Sequence, residues 1–324
     1  MKICIVGAGS LGCAIGGALT EGSSDVWLVN RSQAHVDAMN GAGLRIKDGD
    51  TERIVRVQAA TDCSNIGVVD LVIMLVKSFH TRAAIEAARG IVGPDTMVLS
   101  LQNGLGHEDI LADVVGREHL LAGKTYVGGQ VLAPGRIISA ARGRHTYIGE
   151  LDGTISARVR AVAAEFERAG LATTVSNNII GTIWDKLLVN VATGALSGIT
   201  GLAYGPLYEI PEVEACALAA VAEGMAVAEA SGVHLSTKEP RESWIRAGEG
   251  LPREFKASML QSLEKGSITE IDFVNGAVVR WGERCRVPTP VNRTLVAGIR
   301  GIECRMRKGP PQPAQDRRPH QESP

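Results

Sequence analysis

Residues 1–19, MKICIVGAGSLGCAIGGAL, join a short apolar run to glycines at positions 7, 9 and 12. The run at 2–6 has the length and composition of a buried strand, and the GxGxxG spacing after it opens a helix in dinucleotide-binding folds. In such a loop Gly7 permits the tight turn, Gly9 lets backbone N–H groups approach a pyrophosphate, and Gly12 lets helix and sheet pack closely. Ala8, Ser10 and Leu11 complete the loop, and the helix N-terminus they enter favours phosphate. The competing reading is a glycine-rich turn with no ligand. A strand before the loop and a helix after it favour the nucleotide.

Outward from this point, strand-like and helix-like runs alternate: DVWLVN, SQAHVDAMNGAG, VDLVIMLVKS and TMVLSLQNG. The near-continuous apolar runs are those of strands buried on both faces of a parallel sheet, so a doubly wound α/β domain is expected. The stretch LAGKTYVGGQVLAPGRIISAARGRHTYIG, broken by glycines and Ala-Pro-Gly, is expected to add antiparallel strands at one edge. A helix (ISARVRAVAAEFERAG) and a short strand (ATTVS) close this half. From Ile179 onward strand patterning stops and long amphipathic helical stretches follow, giving an all-α C-terminal domain. The expected division is 1–177, 178–306 and a proline-rich polar tail at 307–324 with little to bury.

With 324 residues, two folding units are expected. Charges nearly cancel, 34 Lys and Arg against 35 Asp and Glu, so no global field points to nucleic acid or to a membrane surface. A small molecule is the expected partner. Cys4, Cys13, Cys63, Cys216, Cys285 and Cys304 lack CxxC pairing and nearby histidine clusters, as in reduced thiols of a cytoplasmic protein; neither a disulfide nor a metal is expected. No signal peptide and no uninterrupted apolar run of membrane-spanning length is seen, so the chain reads as soluble. The apolar helices of the second half serve either a core or a homodimer interface.

The second strand ends in Asn30 and Arg31, where NAD-specific folds usually carry a carboxylate for the ribose hydroxyls. A guanidinium there suits a 2′-phosphate, which favours NADPH; the alternative is a solvated surface charge. In WDKLLVNVATGAL, Lys186 and Asn190 share one helix face, about 6 Å apart along the axis. By helix chemistry alone Lys186 is either a charge reaching the surface or a desolvated ammonium with a function. Downstream, ASMLQSLEKGSITEIDFVNGAVV contains Ser258 and Glu270. Reduction of a ketone by NADPH needs a proton donor, which an ammonium can be, and a carboxylate can orient substrate; Glu270 is otherwise a helix-start acid favoured by the dipole. His80, His107 and His145 read as ordinary surface or structural histidines, and STKEPRESWIRAGEG as a solvated loop and helix start.

Taken together, GAGSLG, VKS with Lys77, QNGLG with Asn103, WDKLLVN with Lys186 and Asn190, and SML followed by TEID with Ser258 and Glu270 resemble the ketopantoate reductase family. The resemblance runs from residue 1 to about 302, in order. It implies a Rossmann-like domain, a helical domain and a cleft between them, and NADPH-dependent reduction of 2-dehydropantoate to pantoate on the path to pantothenate and coenzyme A. It further implies Lys186 as general acid and substrate holder, Asn190 and Ser258 as substrate-binding, and Asn103 between substrate and nicotinamide. Glu270 falls near the nicotinamide and the substrate hydroxyl, and Lys77 and Gly129 line the cofactor.

Gly194 and Tyr204 stand where the family's better-known members have asparagines, which weakens selection for hydroxyl and carboxylate groups. Thr193, seven residues beyond Lys186 and only about 20° away in direction, is a candidate to enter the same pocket. The competing functions are reduction of another 2-oxo acid and, from a different class, NADPH sensing without turnover. A sensor has no need of Lys186, Asn190 and Glu270 together.

Overall fold

The structure is a computed structural model and describes residues 1–141 and 143–308. In chain order the first half contains β1 (Lys2–Val6), α1 (Ser10–Glu21), β2 (Asp25–Val29), α2 (Gln33–Ala42), β3 (Leu44–Asp48), β4 (Thr51–Val55), β5 (Gln58–Ala60) and β6 (Val69–Met74). There follow α3 (Thr81–Ala88), β7 (Val92–Ser100), α4 (His107–Val115), β8 (Leu120–Thr125), β9 (Gly128–Ala133), β10 (Arg136–Ala140), β11 (Thr146–Gly149), α5 (Ala157–Arg168) and β12 (Thr173–Val175). The main sheet has the order β12-β11-β8-β7-β6-β1-β2-β5. From β5 to β8 every pairing is parallel, with the order reversing between β1 and β6. Ligands of doubly wound sheets bind at the carboxyl ends of the strands flanking such a reversal, and the glycine loop leaves β1 there.

The stretch expected as antiparallel edge strands divides between two sheets. β8 extends the main sheet in parallel and β11 pairs antiparallel with it. β9 and β10 instead form a hairpin in a second sheet of order β4-β3-β10-β9. The β3–β4 hairpin of this sheet was not among the expected elements. Helix α1 lies between the two sheets, and two adjacent glycines make that possible. A Cβ at Gly16 would meet Leu28 Cδ2 at 2.4 Å on the main sheet, and one at Gly17 would meet Ile46 Cδ1 at 2.6 Å on the small sheet. Each glycine costs a helix interior roughly 1 kcal/mol, offset here by burying α1 on both sides.

The second half is helical, as expected: α6 (Ile179–Thr200), α7 (Tyr204–Leu207), α8 (Pro211–Ala230), α9 (Pro240–Gly248), α10 (Ser258–Glu264), α11 (Asn275–Cys285) and α12 (Pro290–Lys308). Helix α12 continues to Lys308, two residues into the stretch expected as tail; residues 309–324 lie outside those described. Among the described residues α6 alone is long and apolar enough to cross a membrane, but 72% of its apolar window is buried inside the protein. It is the central helix of this half. Trp184 is fully buried and meets Trp281 edge to face at 5.9 Å.

The charge-rich stretch before α9 does more than face water. Asp185, 8% exposed, accepts hydrogen bonds from the amides and hydroxyls of Ser236 and Thr237 at 2.7–3.2 Å. These bonds hold its carboxyl below the usual aspartate range against the opposing effect of burial. They also fix the turn of α6 from which Lys186 projects.

Candidate active site

Two segments of the α/β half carry the expected site residues. The first is the glycine loop. Gly7 adopts φ +106°, and a Cβ there would lie 2.4 Å from Val76 N, so the turn admits glycine only. A Cβ at Gly12 would lie 2.4 Å from Gly7 O, while Gly9 faces open space. The Ala8 carbonyl is turned inward by Asn30 Nδ2 at 2.7 Å and Cys13 Sγ at 3.3 Å, and Leu11 is half-buried behind the loop. Helix α1 begins after Gly9 with no side-chain cap, leaving its first amides for a ligand, and β9 passes Ser10 at Gly129, whose Cβ would stand 3.6 Å from the serine Cβ. Arg31 is exposed at the end of β2, with Nη2 3.2 Å from His80 Nε2. Partial burial, then the Arg31 charge, lowers the pKa of His80.

The second segment is the QNGLG loop after β7. Its Leu105 amide donates to the Phe273 carbonyl at 2.9 Å. His107, 1% exposed, stacks on Phe273 at 4.9 Å and contacts the Asn103 carbonyl at 2.9 Å, so its role is structural. The loop is thereby clamped to the segment that follows Glu270.

Lys186 projects from α6 toward this loop. Its ammonium donates to Asn103 Oδ1 at 2.8 Å and to the Thr125 carbonyl at 2.6 Å, and lies 5.5 Å from the centre of the Tyr126 ring. Burial, then the charge of Lys124, lowers its pKa from the ordinary 10.5 to about 8, and Glu270 pulls the other way. An ammonium has three donors, so with two engaged one is left. Half-buried Asn190 and exposed Ser258 have no hydrogen-bond partner for their side chains among the described residues and remain open to a ligand. Ser258 begins α10, which packs on α6 where Met259 Cε would meet a Gly194 Cβ at 3.6 Å.

Glu270 joins the helical half to the α/β half. One carboxylate oxygen pairs with Lys77 Nζ at 3.1 Å, and the other accepts from the Ser78 amide at 3.0 Å and its hydroxyl at 2.5 Å. Burial works to raise this carboxyl, but Lys77 and Ser78 outweigh it and hold it below the usual glutamate range. The residue precedes a short turn of helix at Ile271–Phe273 and is bound to the α/β half through its side chain. Ser78 was missed from the sequence; its only signal was its place beside Lys77.

Thr193 is placed differently from the expected common pocket with Lys186. It is 2% exposed, and its hydroxyl pairs with the Tyr204 phenol at 3.0 Å and reaches the Val189 carbonyl at 3.5 Å. Seven residues return it to nearly the same direction as Lys186, but about 10 Å further along the axis, where α7 lies.

The arrangement offers an anion-binding turn and a basic residue at the end of β2 in the α/β half, and in the helical half a half-buried ammonium with a free donor. That is what hydride transfer to a carbonyl with concerted proton delivery requires. Among the described residues no cluster of three His, Cys, Asp or Glu could hold a metal.

Comparison with known proteins agrees. Residues 3–153 match the family model "Ketopantoate reductase PanE/ApbA", and residues 178–303 match its C-terminal model. The chain is 37% identical to a 2-dehydropantoate 2-reductase of Halobacterium salinarum over 93% of its own length and 98% of that protein's. To the enzyme of the same name from Pyrococcus horikoshii it is 35% identical, covering 94% and 98%. Among solved structures, a PanE/ApbA family ketopantoate reductase from Ralstonia eutropha superposes with a TM-score of 0.86 at 35% identity, covering 95% of this chain and all of that one. A ternary complex of D-mandelate dehydrogenase with NADH and anilino(oxo)acetate superposes with a TM-score of 0.88 at 26% identity, covering 95% and 100%. The chain is an oxidoreductase and belongs to the ketopantoate reductase family.

Proposed function

We propose that the chain reduces 2-dehydropantoate to pantoate with NADPH, with Lys186 as the general acid. The observation that carries this reading is the Lys186 ammonium, tied by two hydrogen bonds to Asn103 and Thr125 and left with one donor to give. Bound NADPH supplies the hydride. Lys186 delivers a proton to the ketone oxygen as negative charge develops there, and a pKa of about 8 suits an acid working near neutrality. Asn190 and Ser258 are assigned to the substrate. Asn103 holds Lys186 in register, and the Glu270 carboxylate with Lys77 and Ser78 forms the wall joining the two halves. The glycine loop, Ser10 and Gly129 are assigned to the pyrophosphate side of the cofactor. The division into a cofactor half at 1–177 and a substrate half at 178–306 belongs to the same proposal, as does a cytoplasmic setting, which six free thiols support.

The test follows NADPH absorbance with purified protein and a panel of 2-oxo acids. The expected result is a kcat/KM above about 10⁴ M⁻¹s⁻¹ with 2-dehydropantoate. Strong turnover of a different oxo acid with weak turnover of this one would move the assignment to that acid, as Gly194 and Tyr204 would then explain. NADPH binding without turnover would leave a sensor.

NADPH is chosen over NADH on Arg31, whose guanidinium is exposed at the end of β2 and available to a 2′-phosphate. Charge-assisted hydrogen bonds are worth about 1.5–3 kcal/mol, or roughly 10- to 150-fold in affinity. Arg31→Ala is therefore expected to weaken NADPH about 10- to 100-fold by fluorescence titration and NADH less than about 3-fold. Equal losses for both would remove Arg31 from the 2′-phosphate.

A further inference from the structure

Lys124 was not among the residues singled out in the sequence, yet its surroundings are unusual for a lysine. It lies on β8 opposite Tyr147 of β11, is 8% exposed, and makes no side-chain hydrogen bond or ion pair among the described residues. What its ammonium has is two aromatic faces, Tyr126 at 5.2 Å and Tyr147 at 5.0 Å. The Lys186 ammonium lies over the same Tyr126 ring at 5.5 Å and is bonded to the carbonyl of Thr125, the next residue along β8. Two cations therefore gather around one phenol ring.

Among the described residues no carboxylate forms an ion pair with either ammonium. Asp185 bears on Lys124, but its oxygens are engaged by Ser236 and Thr237; Glu270 bears on Lys186, but its oxygens are engaged by Lys77 and Ser78. Arg246 of α9 adds a further positive charge on the Lys124 side. An apolar side chain of the same length would cover these rings without the cost of desolvating a charge. A like charge beside an ammonium disfavours its protonated form, an effect known to activate lysines paired with a second cation.

We propose that Lys124 is a positioning residue of the reduction: its ammonium, gathered with the Lys186 ammonium at the one Tyr126 ring, repels it and so makes Lys186 a readier proton donor at neutral pH. The inference rests on the reductase reading for its role in turnover, but the charge coupling itself does not. Burial lowers Lys124 as well, to about 8, so both amines lie near the working range.

The test compares Lys124→Met, which keeps length and removes charge, with Lys124→Arg, which keeps the charge. Two quantities are read from about pH 6 to pH 10: kcat/KM for oxo-acid reduction, and the reactivity of the Lys186 amine toward trace acetic anhydride, quantified on its peptide by mass spectrometry. NADPH affinity by titration reports that the variants are folded. Lys124→Met is expected to move both midpoints upward by about half to one pH unit, with Lys124→Arg staying within about 0.2. In the reciprocal variant, Lys186→Met, the labelling midpoint of Lys124 is expected to rise by a similar amount. Unmoved midpoints in Lys124→Met and Lys186→Met would overturn the proposal. A moved labelling midpoint in a protein that reduces no oxo acid would instead overturn the reductase reading and leave the coupling standing.

Discussion

Lys186→Ala is expected to lower kcat/KM for oxo-acid reduction by about 10³- to 10⁴-fold while changing NADPH affinity less than about 3-fold. The asymmetry follows from position. The ammonium is held by Asn103 and Thr125 and makes no hydrogen bond to the glycine loop among the described residues, so its removal takes away the proton donor and leaves the cofactor site whole. Lys186→Arg is not expected to rescue the loss, because a guanidinium does not release its proton in the accessible pH range. The wild-type pH profile should carry the same signature. The pKa of Lys186 is lowered, to about 8, so the amine is protonated below that value and neutral above it. Reduction needs the protonated form, and kcat/KM should be level below about pH 8 and fall about tenfold per unit above it. The reverse oxidation needs the neutral amine and should gain as pH rises through the same range. Stopped-flow or steady-state NADPH absorbance across pH measures both directions; a profile indifferent to pH near 8 would remove Lys186 from the proton transfer.

The second large effect is expected far from the ammonium in sequence, at Gly104. This residue adopts φ +98°, and an added Cβ would lie 2.4 Å from the Phe273 carbonyl oxygen, which is the acceptor for the Leu105 amide. Gly104→Ala therefore combines backbone strain of about 1–3 kcal/mol with a clash against backbone that cannot yield. The expected outcome is a loss of about 3–5 kcal/mol in denaturant unfolding, or a QNGLG loop pushed off the helical half, with kcat/KM down about 10²-fold as Asn103 loses its hold on Lys186. Gly106 supplies the control. It has φ +97° but faces open space, so Gly106→Ala should incur the strain alone and cost less on both measures. Equal effects for the two would mean that contact with Phe273 is not what orders the loop.

What could be read in the sequence was what local chemistry dictates. A strand, a glycine turn and a helix announce themselves because the turn residues are few and the strands of a parallel sheet are apolar throughout, as at VDLVIM. The β3–β4 hairpin did not, because its strands are half-exposed and its register partner β10 lies some ninety residues further on. The same limit applies at the site. Lys186 and Asn190 are visible as neighbours on one helix face, and the family resemblance supplied their roles. Ser78 and Lys124 were not visible, since each acquires meaning only from a distant residue: Glu270 for the first, Tyr147 of β11 for the second. Thr193 is the complementary case. Helical direction aligned it with Lys186, while the phenol of Tyr204, which engages its hydroxyl, comes from an element whose docking no periodicity predicts.

The central claim is that the Lys186 amine gives its proton to a ketone oxygen lying against the nicotinamide. A crystal structure of the protein with NADP⁺ and a bound 2-oxo acid tests it most directly. The account predicts Nζ within about 2.6–3.2 Å of the ketone oxygen, with its bonds to Asn103 and Thr125 retained. A ketone oxygen bound by other groups, with the amine turned away or separated from it by protein, would contradict it.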